Sequence, residues 1–262
     1  MKKRPDSTCD VRYSGVPFSV ELLLLAAAGV VAGALNVIGG GGSFLILPIL
    51  LFAGLPAAVA NGTNRVGVLA QNLGGLFGFH RHGAIDWKWS WAACVPALLG
   101  ATIGVWLALQ LPNVAFKRTL SIFMLAMTLW SILSPARGGA NGEVKSPWHP
   151  GVMLGFFVVG VYGGFIQAGV GFIVLAVTSY AGLDMLRGNA AKLLTVLLIT
   201  ILSLIVFAAS AQVDWPRGLA LSAGTIVGSL YGVKLAVYKG DAWLQRVVTT
   251  TVVLFAIALW FQ

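Results

Sequence analysis

Charged residues fall in this chain at intervals that leave long apolar runs, at 22–64, 66–80, 89–116, 119–136, 146–183, 193–213, 218–233 and 247–262. A helix needs about 20 predominantly apolar residues to cross a hydrocarbon core of about 30 Å. Most runs therefore predict one crossing each. Runs 22–64 and 146–183 are far longer than one crossing at about 1.5 Å per residue, so each must bend, break or cross twice. Both carry a glycine-rich interruption followed by a short apolar piece: VIGGGG at 37–42 before 43–53, and QAGVG at 167–171 before 172–181. The pattern predicts an all-α integral membrane protein of eight to ten hydrophobic segments, with a Gly-broken or half-length helix in each half.

The same landmarks recur at a spacing of 128. AGL at 53–55 returns at 181–183, Asn61 at Asn189, and Asp86-Trp87 at Asp214-Trp215. The glycine breaks nearly obey the offset, the first being read as about two residues longer. The chain therefore divides into a cytoplasmic tail (1–18), a first transmembrane repeat (19–134), a Pro/Gly-rich linker (135–149) and a second repeat (150–262). If the short piece crosses, each half has five crossings and the halves are inverted; if it is re-entrant, four, and the halves are parallel. Broken-helix sites at a repeat interface belong mainly to the inverted architecture.

Composition agrees: 58% of the 262 residues are hydrophobic and 10% charged, against about 25% charged in soluble domains. The net charge of +9 is scattered over loops rather than gathered into a basic domain, which argues against nucleic acid. Lys2, Lys3, Arg4 and Arg12 precede the first span and place the N-terminus in the cytoplasm by the positive-inside rule. Two cysteines, Cys9 and Cys94, make neither a disulfide framework nor a thiolate metal site. Gly29/Gly33, Gly100/Gly104 and Gly224/Gly228/Gly232 have the four-residue spacing of close helix packing. Trp87, Trp89, Trp91, Trp148, Trp215, Trp243 and Trp260 sit near segment ends, as interfacial anchors do.

The polar residues inside apolar segments cluster. NGTNR places Asn61, Asn64 and Arg65 on one helix face, and NAAK places Asn189 and Lys192 on another. Asn36 and Gln167 flank the breaks, and Gln71 and Asn72 extend the polar character. Intramembrane ionisable residues mark function by default, and here they are basic, with no Asp or Glu deep in a span. The piece after each break begins with free N–H groups and a positive dipole end. Gly40, Gly41, Gly42, Ser43, Asn61, Asn64, Arg65, Gln167, Gly169, Gly171, Asn189 and Lys192 are the candidate binding residues for a small anion. His80, Arg81 and His82 lack the acidic or thiol partners of a metal site, and no nucleotide motif occurs, so neither metal nor cofactor is expected. Ser43 lacks a nearby histidine base, which argues against an intramembrane enzyme.

GGGGSFLILPILLFAGLPAAVANGTNRVGVLAQNLGG, echoed weakly in the second half, resembles the sulfite exporter TauE/SafE family of bacterial permeases. The resemblance covers nearly the whole chain after the head. It implies an inner-membrane secondary transporter that exports sulfite or an organosulfonate such as sulfoacetate by alternating access, with the bilayer and a small anion as its partners. A passive anion channel, an importer of a sulfur compound and, more distantly, an enzyme are the alternatives, and a homo-oligomer is compatible with it.

Overall fold

The structure is a computed structural model that describes residues 17–38, 40–83, 85–112, 114–116, 118–119, 122–123, 126 and 143–260, with side chains to 238 in the last segment. The tail to residue 16 and most of the 135–149 linker lie outside the described residues. Among the described residues the regular structure is helical: α1 (Phe18–Ile38), α2 (Gly42–Phe52), α3 (Ala57–Arg81), α4 (Trp87–Gln110), α5 (Pro150–Phe165), α6 (Val170–Tyr180), α7 (Met185–Ala209) and α8 (Trp215–Trp260). By length and composition α1, α4, α7 and the Trp215–Tyr238 part of α8 are able to cross a membrane. α3 has the 25 residues of α7 but is more polar, and both are largely buried.

Helix boundaries keep the 128 offset: 42–52 becomes 170–180, 57–81 becomes 185–209, and α4 and α8 begin at 87 and 215. The repeated landmarks are the stops and starts themselves. In AGL the glycine is left-handed in both copies, φ 86° at Gly54 and at Gly182. This lets Leu55 N–H reach Leu50 O and Leu183 N–H reach Thr178 O, closing each short helix with a Schellman-type turn. In the DW pairs, Asp86 Oδ1 accepts from Trp89 N–H (3.0 Å) and Asp214 Oδ1 from Arg217 N–H (3.1 Å), capping α4 and α8. The expected two-residue excess in the first break is absent. Gly42 is already helical, so the glycine run overlaps the start of α2 instead of lengthening the gap.

Each short helix folds back on the helix before it. Along α5 and α6, Gly163 faces Val170, Gly155 faces Val177 and Gly151 faces Tyr180, an antiparallel hairpin. In the first half, Gly42 restarts beside Ala32 of α1. At 11 residues, α2 and α6 are each about 16 Å long, half a hydrocarbon core, and too short to cross it alone.

Packing between the halves relies on the small-residue motifs. Gly29 and Gly33 of α1 lie on Leu221 and Thr225 of α8, while Gly224 and Gly228 lie on Ala26 and Val30. Gly100 and Gly104 of α4 interleave with Phe157, Gly160, Val161 and Gly164 of α5 in the same way. Residue numbers rise together in both interfaces, so α1 runs parallel to α8 and α4 to α5. α3 also runs parallel to α8, with Gly67, Gly74 and Gly78 on Leu221, Ser229 and Val233. α3 runs antiparallel to its own counterpart α7, with Gly62 on Phe207 and Gly75 on Leu193, and α6 is antiparallel to α7, with Gly171 on Lys192 and Gly188 on Thr178, which makes α7, α5 and α4 parallel. Hence α8 points opposite to its counterpart α4, and α5 opposite to α1. The equivalent helices are inverted, the arrangement that broken-helix sites at a repeat interface favour. Glu21 ties the start of α1 to that of α8 through Arg217 (Oε1 to Nε, 2.7 Å), which also holds Asp214 (2.6 Å).

Candidate functional site

The two hairpin tips meet in the middle of the bundle. Gly40, left-handed at φ 88°, touches Gly171 backbone to backbone: a Cβ on either would stand 2.5 Å from the other's Cα. Two residues without side chains are required there, because any methyl would push the tips apart. Beside them Phe44 and Phe172, equivalent by the 128 offset, stack with ring centroids 6.0 Å apart and planes at 18°. Gly41 and Gly169 are the N-cap residues of α2 and α6, and neither helix has a side-chain cap. Part of each first turn is used locally, Phe44 N–H by Gly41 O (3.1 Å), Val170 N–H by Gln167 O (3.3 Å) and Phe172 N–H by Gly169 O (3.0 Å), while two positive dipole ends converge on the tips.

The opposite, negative ends are held by the basic residues. Lys192 Nζ, on α7, donates to Asn36 O and Val37 O at the end of α1, both 2.9 Å, and to Asn189 Oδ1 at 2.6 Å. Arg65, on α3, donates through Nη1 to Gly163 O (3.2 Å) and through Nη2 to Gly164 O (2.6 Å) and Phe165 O (3.5 Å), at the end of α5. Its guanidinium lies 4.7 Å from the Phe207 ring centroid. Thus each half sends one cation across to terminate the broken helix of the other. Carbonyl oxygens and a helix C-terminus compensate these fully buried charges in place of a carboxylate.

The remaining candidates complete the two tips. Asn64 Nδ2 donates to Ser43 Oγ at 3.2 Å, joining α3 to the start of α2. Asn61 Nδ2 donates to Phe165 O at 3.0 Å. Asn189 Nδ2 is turned back to Met185 O at 3.0 Å. Gln167, left-handed at φ 67° without being glycine, donates to Thr200 Oγ1. Thr200 in turn gives its own proton to Val196 O at 2.5 Å, so the Gln167 amide is oriented with Oε1 away from that pair. All twelve candidates thus gather at the tips. Of the flanking residues, Asn36 contributes its carbonyl to Lys192, while Asn72 bonds within its own helix to Val68 O at 2.8 Å.

Sequence reasoning missed Thr200, Phe44 and Phe172, and Tyr162, whose hydroxyl donates to Ala168 O at 2.5 Å and braces the second break. The signal was present for three of them. Thr200 lies 128 residues after Asn72, and the two phenylalanines follow the breaks at the same spacing.

The two tips differ in how fully their polar atoms are used. Among the described residues, three buried side-chain atoms have no hydrogen-bond partner: Asn61 Oδ1, Arg65 Nε and Gln167 Oε1. All three border the α5–α6 tip. Each leaves about 1–3 kcal/mol of desolvation uncompensated, and such a group in a native interior calls for an explanation. The free donor suits a charged oxygen, and the two free acceptors call for protons on the ligand, of which a monoprotonated oxyanion brings one.

Residues 25–259 match the family described as sulfite exporter TauE/SafE. The chain is similar to a probable membrane transporter protein of Haemophilus influenzae, 27% identical over 231 residues that cover 87% of this chain and 89% of that protein. It is also similar to the probable membrane transporter protein ORF9 of Sinorhizobium sp, 26% identical over 91% of this chain and 90% of that one. A third relative is the probable membrane transporter protein YfcA of Escherichia coli K12, 25% identical over 88% and 87%. No solved structure matches the chain.

Proposed function

Because the chain belongs to the sulfite exporter TauE/SafE family, we propose that this membrane transporter exports a small sulfur oxyanion, sulfite or an organosulfonate such as sulfoacetate, across the bacterial inner membrane, with its N-terminus in the cytoplasm. The observation that carries the reading is the unused polarity at the meeting tips. Arg65 Nε, a donor, and Asn61 Oδ1 and Gln167 Oε1, two acceptors, border the α5–α6 break from which the positive end of α6 starts. An oxyanion places charged oxygens on the N–H groups, which hydrogen-bond to ionised acceptors about twice as strongly as to neutral ones. A monoprotonated form such as hydrogensulfite adds the O–H that an amide oxygen accepts.

Lys192 and most of Arg65 act here as fasteners rather than as ligands, since their protons are directed at carbonyl groups. They cross-tie the tips, so the site stays fixed while the inverted halves rock around it, the motion that inverted-repeat transporters use. Export needs no further drive: a monoanion leaving an interior at −100 mV gains about 2.3 kcal/mol. Proteoliposomes of the purified protein, loaded with radiolabelled sulfite, test this. Efflux is expected to saturate with internal sulfite, to quicken when the lumen is made negative, and to be inhibited by the transported sulfonate but not by sodium chloride. Efflux that rises linearly without saturation contradicts a carrier and favours a channel; no sulfite flux, with sulfonate flux intact, removes sulfite as the substrate.

A further inference from the structure

A second cationic feature lies away from the tips, on the outer surface where α3 ends. A lateral cavity of about 440 Å³ opens between α3 and α8, lined by Phe77, Arg81, His82, Leu230, Lys234 and Tyr238. Its floor is the contact of Gly78 with Val233. Arg81, His82 and Lys234 are exposed, and among the described residues no carboxylate lines the cavity. Among the described residues neither Arg81 nor Lys234 has an ion-pair partner. The guanidinium of Arg81 stands 5.5 Å from the Phe77 ring centroid, and His82 is fixed by Gly78 O at 2.8 Å and by the edge of Tyr238.

Depth and apolar surroundings narrow the occupant. The basic layer sits at the last turn of α3, near the exposed Trp87, an interfacial residue type that marks the headgroup region. From it an exposed apolar strip runs back along the two helices through Phe77, Leu73 and Leu230, which are 57%, 53% and 42% exposed. A free inorganic anion would use the cations and leave that strip idle. We propose that the cavity seats the headgroup phosphate of an anionic phospholipid, with an acyl chain laid along Leu73, Phe77 and Leu230. Two basic side chains with no ion-pair partner among the described residues, above an exposed apolar groove, match a ligand that is anionic at one end and hydrocarbon at the other.

The test is lipid retention by the full chain in detergent, read by native mass spectrometry. The added probes are dioleoyl phosphatidylglycerol, dioleoyl phosphatidylcholine, and inorganic phosphate as competitor. The wild type is expected to prefer phosphatidylglycerol, and Arg81→Gln/Lys234→Gln to weaken its binding about thirtyfold, two basic side chains at about 1 kcal/mol each. Phosphate should displace little of the lipid. Both side chains are exposed, so the variant should melt with the wild type; if it aggregates, the single variants are each expected to lose part of the preference. An unchanged preference in the variants overturns the proposal. So does displacement by phosphate, which would make the cavity a soluble-anion site.

Discussion

Lys192 and Arg65 are fully enclosed, and removing an ion from water costs several kcal/mol even after relaxation. What offsets that cost is specific: three oxygens around Lys192 Nζ, three carbonyls around Arg65, and in each case the negative end of a broken helix. Lys192→Met would strip Asn36 O, Val37 O and Asn189 Oδ1 of their donor at once. With about 1–3 kcal/mol for each buried group left unsatisfied, the variant should melt well below the wild type in detergent. Asn189→Leu should then cost less in the Lys192→Met background than in the wild type, because the shared bond is already gone. Strictly additive losses would mean that the Asn189–Lys192 contact carries no weight. The sequence disclosed these two cations and their helix faces. It could not disclose their partners, which are main-chain carbonyls of the opposite half and carry no side-chain signature.

Element boundaries were the most legible part of the fold, because they rest on local chemistry: a left-handed glycine after each short helix and an aspartate before each fourth helix. The breaks misled where composition stood in for conformation. Four glycines suggested a longer gap in the first half, yet a glycine in a helix costs only about 1 kcal/mol relative to alanine, and Gly42 is helical. In the second half Gln167 takes the left-handed conformation without being glycine. Helix direction was not legible, since it depends on which small-residue stripes meet. It has a direct consequence for the connections after α3 and α7. Gly83 and Ala211 are equivalent by the 128 offset and both left-handed, at φ 64° and 55°. Opposed helices put them on opposite faces of the membrane. In a chain lacking Cys9 and Cys94, Gly83→Cys and Ala211→Cys should react with a membrane-impermeant maleimide from opposite sides of sealed vesicles. Labelling of both from the same side would contradict the inversion.

At the scale of the whole molecule, inverted halves bring two hairpins in from opposite ends and join them at Gly40 and Gly171, on an axis marked by the Phe44–Phe172 stack. Hydropathy alone declared the membrane, and the repeat declared two halves; the meeting of the tips is a tertiary fact that neither contains. The proposed site rests on the departure from symmetry. Asn61 Oδ1, Arg65 Nε and Gln167 Oε1 are unused around the second tip, while the Lys192 ammonium at the first tip has three acceptors. The central claim is that the transported anion passes through this unused set. It is tested most directly by sulfite efflux from proteoliposomes bearing Asn61→Leu/Gln167→Leu, at matched protein density and with folding checked by melting. Removing the two free acceptors should lower efflux by about tenfold, the worth of the one hydrogen bond that the proton of hydrogensulfite donates to an amide oxygen. Efflux equal to that of the wild type from a folded variant would contradict the claim and move the pathway away from the hairpin tips.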